Sequence, residues 1–325
     1  MPTPVSTQLK KVYLLFFTAM LFGCSDSESF ISKTGSQDAN NLFTVITTTT
    51  QVTDLVRQIS GEDCKIIPLM GAGVDPHLYK PTARDMSSLS TADLIVYHGL
   101  KLEGKLAHVL EKAERSKVMT YSVCSVIPDS LLLAAADYNE TLPDPHVWFS
   151  PSIWTLCMHG VAERMGNLIP EKRELFSQRA EAIEQRYSSI KSWASQQLEK
   201  IPKTKRKLIT SHDAFRYLGR SFGIEVIALQ GVSTAIEAGV GDRSNLVDYL
   251  RQNQVSALFV ESSVNPAALK EIAKETQIKV GSPLFSDAFG SKERQISGPN
   301  GEKYALSTWA GMMIHNINAM VEGLQ

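Results

Sequence analysis

The sequence predicts an α/β protein of two lobes, each with a parallel-type sheet flanked by helices, joined by one long linking helix. Three observations carry this. Short β-branched runs alternate with helical patterns from Leu42 to residue 169. An amphipathic run without glycine or internal proline then fills Pro170–Lys200, and the alternation returns from residue 203 to the end. The chain of 325 residues is long enough for two domains, and its 43% hydrophobic and 21% charged content is that of an ordinary globular protein. A formal net charge of -1 argues against nucleic acid or another polyanion as a partner.

The first residues stand apart from that fold. Lys10 and Lys11 precede an apolar run, Val12–Gly23, too short to span a bilayer as a mature helix and ending at Cys24. Leu21-Phe22-Gly23-Cys24 resembles a bacterial lipobox, which implies a leader over 1–23 and lipidation of Cys24. The other reading is a plain secretory leader with an incidental cysteine; either way the protein is exported. Residues 24–41 are polar, rich in small residues and aperiodic, as in a flexible tether. Cys64, Cys124 and Cys157 are odd in number and widely spaced, so they form neither a disulfide framework nor a CxxC motif. One bridge among them or three buried thiols are both compatible with the sequence.

In the first lobe (42–169), Leu42–Thr48 reads as a strand, Val52–Ile59 as a helix and Cys64–Met70 as a second strand. Thr82–Leu89 is helical in pattern, Ala92–Gly99 a buried strand, Leu102–Ala113 a helix and Lys117–Tyr121 a strand. Ser122–Thr141 is a long irregular connection, followed by a helix over Ser152–Asn167. In the linking segment (170–202), Leu175, Phe176, Ala180, Ile183, Tyr187, Ile190, Ala194 and Leu198 form one apolar stripe ended by Pro202. Helical throughout, Pro170–Lys200 would be about 45 Å long. The second lobe (203–325) reads as strands at Arg206–Thr210, Ile224–Leu229 and Val255–Ser263, with Ile278–Gly290 a strand running into a loop. Helices are expected to open around Asp213 and to cover Asn245–Asn253, Pro266–Thr276 and Ala305–Val321.

The tripeptide Asp-Pro-His occurs twice, at Asp75–His77 and Asp144–His146. Proline fixes its own φ and confines the preceding aspartate to extended geometry, so each imidazole is presented from a stiff loop. Alone, either copy is ordinary turn chemistry. The second lobe adds His212 and Asp287, each just after a strand. Three neutral imidazoles and a carboxylate are a common set for a divalent transition metal. Glu261, ending a strand that faces the same cleft, is the best acceptor for a proton of a ligating imidazole. His98 also follows a strand and is within topological reach, whereas His108, His159 and His315 lie in helices and read as structural or surface residues.

Seven ordered motifs carry a resemblance: VDPHLYKPT (Val74–Thr82), DPHVWFSP (Asp144–Pro151), SHDAFRYL (Ser211–Leu218), LQGVSTAIEA (Leu229–Ala238), FVESS (Phe259–Ser263), LFSDAFG (Leu284–Gly290) and GMMIHNI (Gly311–Ile317). With them the chain resembles the cluster A-I metal-binding lipoproteins of bacterial ABC transporters, of the TroA, PsaA and ZnuA type. The resemblance implies two lobes on a rigid linking helix and a metal held by His77, His146, His212 and Asp287. It also implies delivery to an ABC permease, anchoring at the cell envelope through lipid, and no enzymatic activity; a monomer is expected. No family motif supports His98 as a ligand.

Three nitrogens and one carboxylate lean to zinc over manganese in affinity order. Zinc-dedicated members of the family carry a His-rich acidic loop, yet Ser122–Thr141 contains no histidine; manganese-type members often have Glu in place of His212. The pattern is closest to relatives that take both metals, and iron is also open. The alternatives are an exported zinc hydrolase with Glu261 as base, which lacks any HExxH-like signature, and a metal-binding adhesin. Affinity is expected to fall below about pH 6, near the unperturbed imidazole pKa.

Overall fold

The computed structural model describes residues 42–115, 118–135 and 142–325. The expected leader, Cys24 and the tether lie outside the described residues. Among these, no helix is long and apolar enough to cross a membrane.

In the first half, β1 (Thr44–Thr47), buried and mostly β-branched, leads into α1 (Thr50–Ser60), whose first turn is capped by the Thr49 hydroxyl. Strand β2 (Lys65–Pro68), helix α2 (Ala83–Leu89, with a Thr82–Asp85 capping box), strand β3 (Leu94–Tyr97), helix α3 (Ala107–Arg115) and strand β4 (Thr120–Ser122) follow. The strands form one parallel sheet in the order β2-β1-β3-β4. The expected helix from Leu102 is instead a 3-10 turn at Gly104–Leu106 that runs into α3, because Gly104 sits at φ 46°. Helix α4 (Pro151–Leu168) starts with proline at its first position and Ser150 as cap.

The linking run is shorter than expected. Pro170–Lys172 is a 3-10 turn, and the helix proper, α5, covers Arg173–Leu198, 26 residues or about 39 Å. Its predicted stripe is buried from Phe176 to Leu198, with only Leu175 half-exposed. It packs on α1 and α4 and, from the second half, on the closing helix α9 (Trp309–Leu324).

The second half winds the same way. Strand β5 (Lys207–His212), helix α6 (Arg216–Phe222), strand β6 (Glu225–Gln230), helix α7 (Val240–Gln252), strand β7 (Ala257–Phe259), helix α8 (Ala267–Thr276) and strand β8 (Lys279–Val280) give a parallel sheet in the order β6-β5-β7-β8. A short antiparallel hairpin, β9 (Gln295–Ser297) and β10 (Lys303–Ala305), precedes α9 (Trp309–Leu324). Several expected boundaries are corrected. Strand β5 runs through His212, so the next helix opens at Arg216 and not at Asp213. Helix α7 begins five residues before Asn245, since Asp242 accepts a hydrogen bond from Gly239 N and caps it. Ile278–Gly290 is, as expected, a strand running into a loop: the strand is only Lys279–Val280, Gly281 and Pro283 end it, and an isolated parallel bridge joins Glu261 and Leu284. The closing helix starts at Trp309, because Ala305 belongs to the unexpected hairpin.

One apolar core runs through both halves, from Val45 and Leu55 past Phe176 and Tyr187 to Phe215, Phe259 and Trp309. Hydrogen bonds cross between the halves as well. Trp309 donates its indole N–H to Trp148 O (2.8 Å) and its backbone N–H to Asp54 Oδ2 (2.8 Å). The Tyr217 hydroxyl donates to Asp144 O (3.0 Å) and accepts from Leu133 N (2.9 Å). Cys64, Cys124 and Cys157 are free and buried, so none of the three is in a disulfide.

Candidate metal centre

Both sheets have the strand order in which a crevice opens beyond the carboxyl ends of the two central neighbours, β1/β3 and β5/β7. The site is carried at the carboxyl ends of the strands: His77 follows β2, His146 follows β4, His212 is the last residue of β5, and Asp287 follows β8.

The first Asp-Pro-His loop is closed by its aspartate: Asp75 Oδ1 accepts from His77 N at 2.8 Å. Behind it, Gly104 comes so close that a Cβ there would lie 2.3 Å from the His77 carbonyl oxygen. Gly104→Ala should therefore push His77 out of place and strain a left-handed backbone, costing about 1–3 kcal/mol of stability. The check is a denaturant titration alongside a metal titration; both midpoints should worsen, and unchanged metal binding would show that His77 does not depend on this packing.

The second loop is held more tightly. Asp144 Oδ1 accepts from His146 N at 2.9 Å and lies 2.8 Å from His146 Nδ1, so it orients both backbone and ring and turns Nε2 towards the other lobe. Trp148 packs edge-on against the same ring at 5.3 Å. In the second lobe, Glu261 repeats the device. Its Oε1 accepts from Ser211 N and His212 N, each at 2.9 Å, while Oε2 lies 2.5 Å from His212 Nδ1. Glu261 therefore lies against the His212 ring and backbone. Asp287 sits on a loop held by α9: Asn316 brackets Phe285 through its N and O (2.9 and 2.7 Å), and His315 Nε2 lies 2.9 Å from Pro283 O.

The four predicted residues come together. One ligand atom from each of His77, His146, His212 and Asp287 lies within 4.8 Å of the other three. His146, His212 and Asp287 are buried, and His77 is 7% exposed. Asp287 Oδ1 lies 3.2 Å from His146 Nε2 and Oδ2 lies 3.1 Å from His212 Nε2. These are ion-pair distances without hydrogen-bond alignment: the three Nε2 atoms and both Asp287 oxygens are buried with no hydrogen-bond partner. Buried polar atoms are almost always satisfied. Five that converge unsatisfied, all electron-pair donors, fit a divalent cation.

The electrostatics separate the three imidazoles. Burial pushes His77 down to about 3. Burial also opposes charge on His146, but Asp144 and Asp287 carry it up to about 9. For His212 burial is overridden by Asp287 and Glu261, which hold it well above the ordinary value. Burial acts to raise Asp287, yet His212 and His146 hold it well below the carboxylate range. The carboxylates thus favour the charged form of His146 and His212, while burial favours the neutral form of His77.

The other histidines lie elsewhere. His98 is buried, but its Nε2 is 2.7 Å from Pro145 O, which places it behind the second loop and not among the converging atoms. His159 pairs with Glu184 at 2.8 Å, joining α4 to α5, and His108 is exposed. Sequence reasoning missed Asp144 as the orienting partner of His146. The signal was present in the Asp-Pro-His tripeptide itself, where an aspartate two residues ahead can reach both the backbone N–H and the ring.

Known proteins resemble this chain over most of its length. The family described as "ZnuA: Zinc-uptake complex component A periplasmic" matches residues 45–323. The manganese-binding lipoprotein MntA of Bacillus subtilis is 35% identical over 317 residues, covering 96% of this chain and 97% of the relative. The zinc-binding protein TroA of Treponema pallidum is 37% identical over 303 residues, covering 92% and 93%. A solved structure of the periplasmic zinc-binding protein TroA from Treponema pallidum superimposes with a TM-score of 0.80 at 36% identity, covering 87% of this chain and 99% of that one.

Proposed function

The chain belongs to the ZnuA family of zinc-uptake components, and from that premise we propose that it captures a divalent transition metal between its two lobes and delivers it to an ABC permease for import. The observation that carries this is the convergence of five buried donor atoms without hydrogen-bond partners, two residues from each lobe. Neither lobe holds a complete site, so bound metal couples them. Four protein ligands leave a tetrahedral ion no open position for an activated water, which supports capture and handover over hydrolysis. No feature favours the hydrolase or adhesin alternatives.

The cargo we assign is zinc, manganese or both, with iron as a third candidate. Three imidazole nitrogens favour zinc. Both Asp287 oxygens face the site, at 3.2 and 3.1 Å from the two Nε2 atoms, so a bidentate carboxylate can supply the extra oxygen that manganese prefers. Lipidation of Cys24 at the envelope and a monomeric state complete the reading. Calorimetry of chelator-stripped protein tests it. Metal at about a hundredfold over its Kd should stabilise the fold by about 2.7 kcal/mol, because it binds the folded form alone. Zn²⁺ should displace Mn²⁺ in competition. No thermal shift with either metal would sink the reading.

A further inference from the structure

His77 differs from the other two imidazoles in how it is held. Asp144 and Glu261 each reach the Nδ1 of their histidine, at 2.8 and 2.5 Å. Asp75 instead spends its two oxygens on His77 N (2.8 Å) and on the Thr234 hydroxyl of the other lobe, which donates to Oδ2 at 2.6 Å. His77 is also the least buried of the four residues, and Leu78 beside it is half-exposed.

Thr234 is well placed to report on the second lobe. It lies four residues beyond the end of β6, where Gln230 is in register with His212 on β5. The base of its loop is tied to the residue after His212, with Asp213 N donating to Gly231 O at 3.1 Å. Further along the loop Ile236 is 60% exposed, so the loop stands on the rim and not in the core. A continuous path thus runs from His212 through β6, Thr234 and the Asp75 carboxylate to the backbone of His77.

Resting on the metal-binding reading above, we infer that the Thr234–Asp75 hydrogen bond is a latch across the cleft mouth. It keeps His77 over the metal and sets how fast the metal leaves. Thr234 is a positioning residue: it touches no donor atom and acts through Asp75. Once the bond breaks, the first loop loses this tie to the second half and keeps the holds of its own half, its internal closure, Gly104 behind it and the packing of Val74 and Tyr79, and His77 is the ligand free to swing outward. Entry is less affected, because the other three ligands are held within the core.

The test is Thr234→Val, which keeps the shape and removes the hydroxyl, made in the full chain loaded with one equivalent of Zn²⁺. Release to excess chelator should quicken about tenfold, the effect of losing one hydrogen bond to a charged acceptor, while the association rate changes less than about twofold. Thr234→Ser should restore the slow release. Wild-type release from a Thr234→Val protein holding one equivalent overturns the latch alone, as does equally fast release from the Ser and Val variants. A wild-type chain that takes up no metal overturns the site reading and the latch with it.

Discussion

His212→Ala should weaken Zn²⁺ binding on the order of a hundred- to a thousandfold. Apparent zinc affinities of about 10–16 kcal/mol shared over four ligands leave roughly 3 kcal/mol for each. The loss should be larger than the 10–100-fold that follows removal of an outer hydrogen-bond partner, so Glu261→Gln, which disturbs His212 only through Nδ1, should be the milder variant. His98→Ala is the control. Its ring meets Pro145 O and Trp148, not the converging atoms, and its effect should fall on stability first. Competition with a chromophoric chelator measures all three. If His98→Ala lost the metal and His212→Ala kept it, the assignment of ligands would be wrong.

Metal affinity should climb steeply from pH 6 to about pH 9, and metal uptake should release about two protons. This revises the expectation from the unperturbed imidazole, which placed the fall only below about pH 6. With His146 raised to about 9 and His212 held well above its ordinary value, both are expected to hold the extra proton at neutral pH before metal arrives. His77, at about 3, has no proton to lose. Each displaced proton makes the apparent affinity tenfold per pH unit, so two give up to about 10⁴-fold between pH 6 and pH 8. The direction follows from mass action: fewer protons compete as pH rises. The exchange suits a buried site, since one M²⁺ replacing two H⁺ leaves its formal charge unchanged and avoids a further desolvation penalty. Calorimetry in buffers of different ionisation enthalpy counts the protons. A value near zero at pH 7.5 would mean the imidazoles are neutral before binding.

The fold was largely legible because its signals are local. The stripe of α5, the β-branched β1 and the Ser150-Pro151 start of α4 each announce themselves within a few residues. The misses are places where distant contacts decide. The three-residue strands β9 and β10 are too short for alternation to show, and they are closed by a turn with Gly301 at φ 87°. The segment after Val280 has strand-like composition, but Gly281 packs against the Phe259 ring and the chain turns towards the site. The first turn of α7 reads as loop, with Val240 and Gly241 exposed, and is made helical by one aspartate. At the candidate metal centre His77 and His146 were legible from the repeated Asp-Pro-His, and His212 and Asp287 from the motifs SHDAFRYL and LFSDAFG. The hydroxyl of Thr234 was not, because nothing in LQGVSTAIEA says which loop it meets 159 positions away.

The core shared between the halves has a consequence for recognition. Phe215, Phe259 and Trp309 are packed into the same apolar body as Val45 and Leu55, and α5 braces it along about 39 Å. Parting the sheets would expose that interior, so on the capture-and-delivery reading loaded and empty protein are expected to share one outline. A permease that distinguishes them would then have to read a few rim residues, those of the loops bearing His77 and Thr234.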